Sequence, residues 1–428
     1  MGQTLAEKIF SRACGRQVKQ GDIVYPDPDL ITTHDWYVVN FDKVLQELGL
    51  NRLHAPHKLL ISTDHEPVAT SPLAAQRQRQ VREIVRKYGI EHFYDVGRGG
   101  HGHIFPMEKG YIRPGMFVIA YDIHVTNYGA LGCLGVPVVT EISEVLACGN
   151  VWMKVPHTVR VNLVGELRPG ITIRDVAQKL ISVIDVADAD YSAFEFGGPA
   201  LASIDFAGRQ VLCNTPIEIG VKTAFIEPDQ QTLDYLAPRT NEPVELIKSD
   251  DDAIYHAVIE FDLGLVEPQV AIPPTPDNVV GVSEVAGKKI QHAFIGSCAA
   301  PGISELAVAA RILKGRRVHP DVRFFLTPST YEVMSEATAL GYMQTFIDAG
   351  VSITAPGCGV CAGGKIGAMA DGEVSINTGT RNDFGRLGAM KSEIYLASAA
   401  TVAASAVLGE ITDPRRYLLN AQNLQDAV

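Results

Sequence analysis

Three cysteines stand in glycine-rich segments of the C-terminal part of the chain. Cys358 and Cys361 form a C-x-x-C unit, and Cys298 lies between small residues sixty positions before Cys358. A C-x-x-C unit alone is compatible with zinc binding, with redox chemistry, or with small buried residues beside glycine turns. Zinc would need a fourth ligand, and the nearest candidate, His292, precedes a predicted strand instead of lying in a loop. Three thiolates can hold three irons of a four-iron cluster, whereas electron carriers use four.

Acidic residues and histidines stand close together where predicted strands end. The candidates for acid–base chemistry are Asp64, His65, His103, Asp122, His124 and Glu218. A carboxylate beside an imidazole fixes the tautomer of the ring and raises its basicity, which suits dehydration chemistry. A single histidine of this kind is more often a structural hydrogen-bonding residue. Several of them at strand ends in one chain favour a functional cluster.

Two arginines, Arg381 and Arg386, lie five residues apart in a glycine-containing segment. Guanidinium groups bind carboxylates through two parallel hydrogen bonds, so the pair predicts a site for a carboxylate substrate. The alternative is that both arginines are solvated surface residues.

The segments that must position these residues alternate between helix and strand. Ser71–Tyr88 is predicted to be a helix, because Ser and Pro occupy its cap and first-turn positions. Residues 58–63 and 116–121 read as buried strands that end just before Asp64 and Asp122. Residues 194–198 are expected to form a turn, and residues 392–408 one apolar helix. The pattern predicts an α/β chain with parallel sheets and sites at the carboxyl ends of strands.

Length and composition set the outer limits. The length of 428 residues predicts several domains. Changes in the sequence pattern near Pro156 and Gly281 predict domain boundaries there, which gives residues 1–156, 157–281 and 282–428. The net charge of −12 argues against nucleic acid as the main partner. The N-terminus does not resemble a signal peptide, and no apolar run is long enough to cross a bilayer. Seven cysteines in a long chain favour free thiols or metal ligands in a reducing cytoplasm.

These motifs together resemble the aconitase superfamily, and within it the large subunits of isopropylmalate isomerase and homoaconitase. The resemblance runs nearly from end to end. It is carried by the segments Ile295-Gly296-Ser297-Cys298, Pro356-Gly357-Cys358-Gly359-Val360-Cys361, Arg381-Asn382-Asp383-Phe384-Gly385-Arg386 and Tyr395-Leu396-Ala397-Ser398-Ala399. The resemblance implies three α/β/α domains around a central cluster site, with no swivelling fourth domain in this chain.

The resemblance also implies roles for the candidate residues. A [4Fe–4S] cluster with one open iron site would be held by Cys298, Cys358 and Cys361. The acid–histidine pairs would be Asp64 with His65, Asp122 with His103, and Glu218 with His124. Substrate-binding residues would be Asn40, Asn214, Arg381 and Arg386. A separate small subunit with the swivelling domain would supply the catalytic base, which makes the enzyme a heteromer.

Departures from the family pattern remove polar groups around the substrate. Ile123 stands where a carboxylate-binding serine is usual, and Val125, Ala299, Ala300 and Thr380 replace other polar residues. The predicted function is therefore dehydration and rehydration of a small hydroxy di- or tricarboxylic acid, most consistent with an alkylmalate of the isopropylmalate type.

Other functions remain open from the sequence. One alternative is an aconitase- or homoaconitase-type hydratase that acts on a tricarboxylate. Another is a non-catalytic, iron-sensing relative that binds RNA, which the acidic balance disfavours. A structural zinc protein or simple electron carrier is disfavoured because it would need a fourth ligand.

Overall fold

The structure is a computed structural model that describes residues 2–419. The strands of that part of the chain are β1 Ile23–Val24, β2 Leu30–His34, β3 Leu59–Ser62, β4 His92–Tyr94, β5 Phe117–Ala120, β6 Leu134–Pro137, β7 Met153–Lys154, β8 Thr158–Val164, β9 Ala193–Gly197, β10 Thr223–Ile226, β11 Ala257–Asp262, β12 Gln269–Ala271, β13 Val279–Gly281, β14 His292–Ile295, β15 Arg323–Leu326, β16 Ser352–Ile353, β17 Val374–Asn377 and β18 Glu393–Ala397.

The α-helices are α1 Leu5–Cys14, α2 Asp35–Glu47, α3 Pro72–Tyr88, α4 Phe105–Glu108, α5 Ile142–Cys148, α6 Ile173–Val183, α7 Val186–Ala189, α8 Phe206–Asn214, α9 Gln230–Leu236, α10 Val282–Val285, α11 Ile303–Leu313, α12 Tyr331–Ala339, α13 Tyr342–Ala349, α14 Ala399–Leu408 and α15 Arg415–Leu418. No helix within residues 2–419 has the length and apolar character needed to span a bilayer.

The described chain divides into two compact units. Unit 1 comprises the residues up to Leu163 together with Asp185–Phe261, and unit 2 comprises Val164–Ile184 and the residues from Asp262 onward. Unit 1 contains a five-stranded and a four-stranded sheet, and unit 2 contains a seven-stranded sheet. The division into three domains at residues 156 and 281 stays a prediction.

The five-stranded sheet of unit 1 is parallel, in the order β4-β3-β2-β5-β6. Strands β3 and β5 are buried at every position, as expected for parallel strands that helices cover on both faces. Helix α3 begins as predicted: the Ser71 hydroxyl accepts a hydrogen bond from the Ala74 amide, and Pro72 is the first helical residue. It ends at Gly89, whose φ of 62° gives the left-handed cap.

The predicted turn at residues 194–198 is wrong. These residues belong largely to β9, which is buried throughout and lies parallel between β8 and β10. The Glu195 side chain is fully buried within this strand, where Arg160, Ser249 and Tyr255 all bind it. A buried carboxylate with three such partners is compatible with a central strand.

In unit 2 the seven-stranded sheet has the order β13-β12-β18-β17-β14-β15-β16. The five strands from β18 to β16 are parallel, and β12 and β13 extend the sheet with antiparallel pairing. The single helix predicted over residues 392–408 is wrong in its first half, where β18 lies. Helix α14 begins only after Ser398, whose hydroxyl accepts from the Thr401 amide. An apolar run that is buried on both faces has no periodicity to separate strand from helix.

Candidate active site

Polar side chains of unit 1 gather where three neighbouring strands end. Strand β2 ends at His34, β3 leads into Asp64 and His65, and β5 leads into Asp122. Because β3, β2 and β5 are adjacent and parallel, their carboxyl ends meet at one edge of the sheet. These residues, with His103, His124 and Glu218, are called the acid–histidine cluster below.

Each carboxylate of the cluster contacts an imidazole, in the combinations that the resemblance implied. The contacts are His65 Nδ1 to Asp64 Oδ1 at 2.7 Å, His103 Nε2 to Asp122 Oδ1 at 3.1 Å, and His124 Nε2 to Glu218 Oε1 at 2.9 Å. His124 Nδ1 also lies 3.1 Å from Asp122 Oδ1, which links the second and third pairs. The six residues therefore form a set of carboxylates and imidazoles within hydrogen-bonding distance.

The charges within the cluster are uneven. Burial alone would lower the pKa of His65, but the surrounding carboxylates, Asp64 first and then Asp35 and Asp122, together outweigh burial and raise it to about 9. The pKa of His34 falls to about 3, because its ring is buried and lies beside the charged His65. The two rings stack with centroids 3.7 Å apart. At neutral pH the stack therefore holds one protonated and one neutral imidazole.

Both central carboxylates remain ionised although they are buried. The imidazoles around Asp64 and Asp122 hold the pKa of each carboxyl below its usual range, against the opposing effect of burial. His65 is the main counter-charge of Asp64, and His103 is that of Asp122. The cluster therefore holds ionised carboxylates beside a protonated imidazole at the carboxyl ends of the strands. Such an arrangement is typical of acid–base sites.

Sequence reasoning missed the role of Asp35, the first residue of helix α2. Its carboxylate accepts hydrogen bonds from the backbone amides of Asp64, His65 and Glu66 at 3.2, 3.1 and 3.3 Å. Burial raises the pKa of Asp35 to about 6. These bonds fix the turn that carries Asp64 and His65. The signal available in the sequence was the acidic residue directly after His34.

A small polar cavity of about 10 Å³ lies at the same strand edge. Its lining residues are Thr32, Thr33, His34, Ser62, Asp64, Gly102, His103 and Asp122. Asn40, a predicted substrate-binding residue, lies instead on the exposed surface of α2. Its role stays a prediction, which its exposure disfavours.

Asn214 ends helix α8 and is fully buried in unit 1. Neither its amide nitrogen nor its carbonyl oxygen has a hydrogen-bond partner in the structure. Leaving such a group unsatisfied costs about 1–3 kcal/mol. The buried amide therefore suits a position that faces a polar ligand, and the substrate-binding role of Asn214 stays a prediction.

The cysteines of unit 2 follow parallel strands of the seven-stranded sheet. Cys298 comes after β14, Cys358 and Cys361 come after β16, and all three are buried, with 3, 6 and 8 % of their surface exposed. The Gly296 amide, just before Cys298, donates to the Thr378 hydroxyl at 2.9 Å, which joins the loop after β14 to the loop after β17. The loops after β14, β16 and β17 are called the cysteine loops below.

The cysteine loops have a backbone that ordinary side chains would obstruct. Gly359 has a φ of 60°, and a Cβ atom there would clash with the Thr327 side chain. A Cβ atom on Gly379 would come within 2.7 Å of the Oδ1 of Asn377, which is too close, and would lie in ordinary contact with the Sγ of Cys361 at 3.7 Å. Three buried thiols in close-fitting glycine loops are soft donors of the kind that iron–sulfur groups use, so the residues fit such a group.

His292 does not take part in this donor set. Its Nδ1 lies 2.9 Å from the Ser375 hydroxyl and its Nε2 lies 3.0 Å from the Gly367 carbonyl. Both ring nitrogens are therefore engaged within the sheet. Burial lowers the pKa of His292 to about 4. A zinc site that uses His292 as its fourth ligand is incompatible with these contacts.

The predicted arginine site shows one unexpected contact. Arg381 donates from Nε and Nη2 to the carboxylate of Asp383, at 3.0 and 3.1 Å. The side chain of Arg381 is 42 % exposed and that of Asp383 is 46 % exposed. Beside them the buried Thr380 hydroxyl has no hydrogen-bond partner. An incoming carboxylate would thus meet an Arg381 that already binds an acid.

Two of the residues expected to make the substrate pocket apolar lie in hydrophobic cores. Val125 is fully buried and packs against Gly135 of β6, and Ala300 belongs to the core that helices α11 and α14 form on their sheet. That part of the expectation is corrected, since side chains packed in a core do not line a pocket. Ile123, next to Asp122, is only half-buried.

A model of the aconitase family (aconitate hydratase) matches residues 7–409. The chain belongs to the aconitase family. It is 42 % identical to the 3-isopropylmalate dehydratase large subunit 1 of Methanopyrus kandleri, over 98 % of this chain and all of that one. It is 38 % identical to the probable methanogen homoaconitase large subunit of Methanothermobacter thermautotrophicus, over 96 % of this chain and 97 % of that one.

The solved structure of Thermococcus kodakaraensis aconitase X in its holo-form has a weak likeness to this chain. The TM-score is 0.47 at 12 % identity, and the match covers 83 % of this chain and 84 % of the other.

Proposed function

We propose that this chain is the large catalytic subunit of a hydro-lyase that carries a [4Fe–4S] cluster with one open iron. The enzyme removes water from a small hydroxy di- or tricarboxylic acid and adds it back. The observation that carries the proposal is the acid–histidine cluster with its three carboxylate–imidazole pairs. An electron carrier or a structural zinc protein would not need such pairs. Membership of the aconitase family and the hydro-lyase names of the relatives support the same class.

Cys298, Cys358 and Cys361 are the residues that would hold the cluster. Three ligands for four irons leave one iron open. When bound, the cluster supplies a Lewis acid for the substrate hydroxyl and carboxylate.

His65 is proposed to be the acid of the reaction. Its ring is protonated at neutral pH because Asp64 holds the charge in place, so it can give a proton to the departing hydroxyl group. The contacts of His103 and His124 with Asp122 orient both rings, and Glu218 fixes His124 from its other side. These two pairs keep a defined charge pattern next to the acid.

The substrate carboxylates are assigned to Arg386 and Arg381, whose guanidinium groups match carboxylates in geometry. The buried amide of Asn214 would gain the hydrogen bonds that it lacks. Asn40 is a further candidate for binding the substrate, although its exposure disfavours that role.

Ile123 favours an alkylmalate substrate over citrate. An apolar side chain beside Asp122 leaves a carboxylate oxygen without a donor, which penalises a substrate with three carboxylates. Because the relatives are named large subunits, we expect a small subunit that carries the swivelling domain and the base for the carbon-bound proton. The setting is the reducing cytoplasm.

Two other functions make different predictions. A homoaconitase-type hydratase would prefer a tricarboxylate, as the name of one relative suggests. An iron-sensing relative would bind RNA in its cluster-free form and would not turn over any hydroxy-acid. The net charge of −12 disfavours RNA as a ligand.

The test is a panel of hydroxy-acids, assayed anaerobically by the absorbance of the unsaturated product. The chain is assayed alone and after mixing with its cognate small subunit. We expect turnover only in the mixture, with isopropylmalate-type acids preferred over homocitrate and citrate. A mixture with intact cluster absorbance and no turnover of any acid would contradict the hydro-lyase proposal.

A further inference from the structure

Arg174 is a buried cation in unit 2. It is the second residue of helix α6, it is 3 % exposed, and its Nη2 donates to the Gly379 carbonyl at 2.7 Å. Burial of a guanidinium is costly unless hydrogen bonds and opposite charge compensate for it. The bond from Nη2 therefore brings a buried positive charge to the loop that contains Gly379.

Gly379 lies directly against one of the proposed cluster ligands. A Cβ atom on Gly379 would be 3.7 Å from the Sγ of Cys361 and 2.7 Å from the Oδ1 of Asn377. The Gly379 amide also donates to that Asn377 oxygen at 2.8 Å. Arg174 thus binds the carbonyl of Gly379, the amide of Gly379 is bound by Asn377, and this residue lies beside Cys361.

The start of helix α6 is itself held firmly. The buried Asp175 carboxylate accepts from the Thr172 amide at 2.9 Å and from the Thr172 hydroxyl at 2.8 Å. It also accepts from the Gln269 amide of β12 at 3.0 Å. Since Asp175 ties the first turn of α6 to the sheet, Arg174 extends from a rigid base.

We propose that Arg174 is a positioning residue for the thiolate-bound group: it holds the Gly379 peptide against Cys361 and places a buried positive charge beside the thiolates. The inference rests on the proposed function. Three thiolates outweigh the charge of an oxidised four-iron core, so the bound group is an anion in a buried setting. A fixed cation bound to the Gly379 carbonyl stabilises that anion and slows its loss.

The test measures cluster retention and not activity. Anaerobically loaded protein is mixed with an iron chelator, and the loss of visible absorbance is followed in the wild type and in Arg174→Lys, Arg174→Gln and Gln178→Met. Gln178 is the matched control, because it lies four residues further along α6, is buried, and donates to the Leu396 carbonyl at 2.9 Å. The far-ultraviolet circular dichroism of each cluster-free variant verifies that it folds.

We expect Arg174→Gln to lose its cluster about tenfold faster than the wild type, as for loss of a charge-assisted contact. Arg174→Lys should lie between the two, and Gln178→Met should match the wild type. Equal rates for Arg174→Gln and Gln178→Met would overturn the inference while leaving the proposed function intact. If Arg174→Gln does not fold, Arg174→Lys decides the question. The inference is overturned if Arg174→Lys loses its cluster at the wild-type rate at both high and low salt. A wild type that takes up no cluster would overturn both.

Discussion

The Nδ1 of His65 lies 2.7 Å from the Oδ1 of Asp64, and this contact sets the charge of the ring. The ring has a pKa of about 9 although it is buried, because the carboxylate favours its protonated form. A group whose pKa is raised in the folded state stabilises the fold below its unfolded value, near 6.5. That contribution is lost as the pH rises through about 9.

Asp64→Asn should remove this effect. Without the Asp64 carboxylate, burial lowers the pKa of His65 against only the weaker effects of Asp35 and Asp122, so less of the ring is protonated and available as an acid. We expect kcat of the assembled enzyme to fall about a hundredfold or more, in line with loss of a general acid. The pH above which kcat declines, near 9 in the wild type, should move to a lower value in the variant.

The control for Asp64→Asn is Asp188→Asn. Asp188 lies 3.3 Å from His256 in the same unit, but both side chains are more than 40 % exposed. This change should leave the pH profile unmoved. A decline of kcat above the wild-type pH in Asp64→Asn would show that His65 is not the acid.

Arg386→Lys should lower kcat/KM about ten- to a hundredfold, because lysine cannot form the two parallel hydrogen bonds to a carboxylate. Arg381→Lys should cost less, since part of the Arg381 charge is already balanced by Asp383. Arg323→Lys is the control, because Arg323 pairs with Glu373 on the surface of the same unit. Steady-state kinetics with one dicarboxylate decide the order, and a larger loss in Arg381→Lys would be evidence against this assignment.

Ile123→Ser should shift the preference of the enzyme from alkylmalates toward citrate-like acids. The added hydroxyl supplies a donor for a third carboxylate beside Asp122. Val125→Thr is the matched control: Val125 is fully buried, so a hydroxyl there should lower thermal stability without a change in preference. The ratio of kcat/KM values for the two acids is measured in all three proteins. An unchanged ratio in Ile123→Ser would remove the basis for an alkylmalate substrate.

Much of the fold could be predicted because local signals agree with the tertiary structure. The cap of α3 at Ser71 and the buried strands before Asp64 and Asp122 lie within one or two residues of their predicted bounds. The errors arose where tertiary burial, and not the local sequence pattern, determines the secondary structure. Strand β9 is buried although it contains the charged Glu195, and the continuous apolar run around Leu396 has no periodicity that distinguishes β18 from a helix.

The carboxylate–imidazole pairs were implied by the resemblance to the family, and the gathering of such residues at one sheet edge could be predicted because the carboxyl ends of adjacent parallel strands converge. The contacts of Asp35 with the turn after β3 could not, since they depend on where helix α2 begins. The bond between Arg381 and Asp383 depends on side-chain rotamers in a loop. Sequence spacing alone also could not show that Val125 points into a core.

The central claim is that Cys298, Cys358 and Cys361 hold a four-iron cluster. The measurement is the iron and sulfide content of anaerobically purified protein, together with its visible spectrum, in the wild type, Cys361→Ser and Cys133→Ser. Cys133 is the control because it is fully buried in unit 1 and its thiol pKa is raised by burial. We predict about four irons per chain in the wild type and in Cys133→Ser, and loss of the chromophore in Cys361→Ser. Full absorbance in Cys361→Ser, or stoichiometric zinc in an active wild-type enzyme, would contradict the claim.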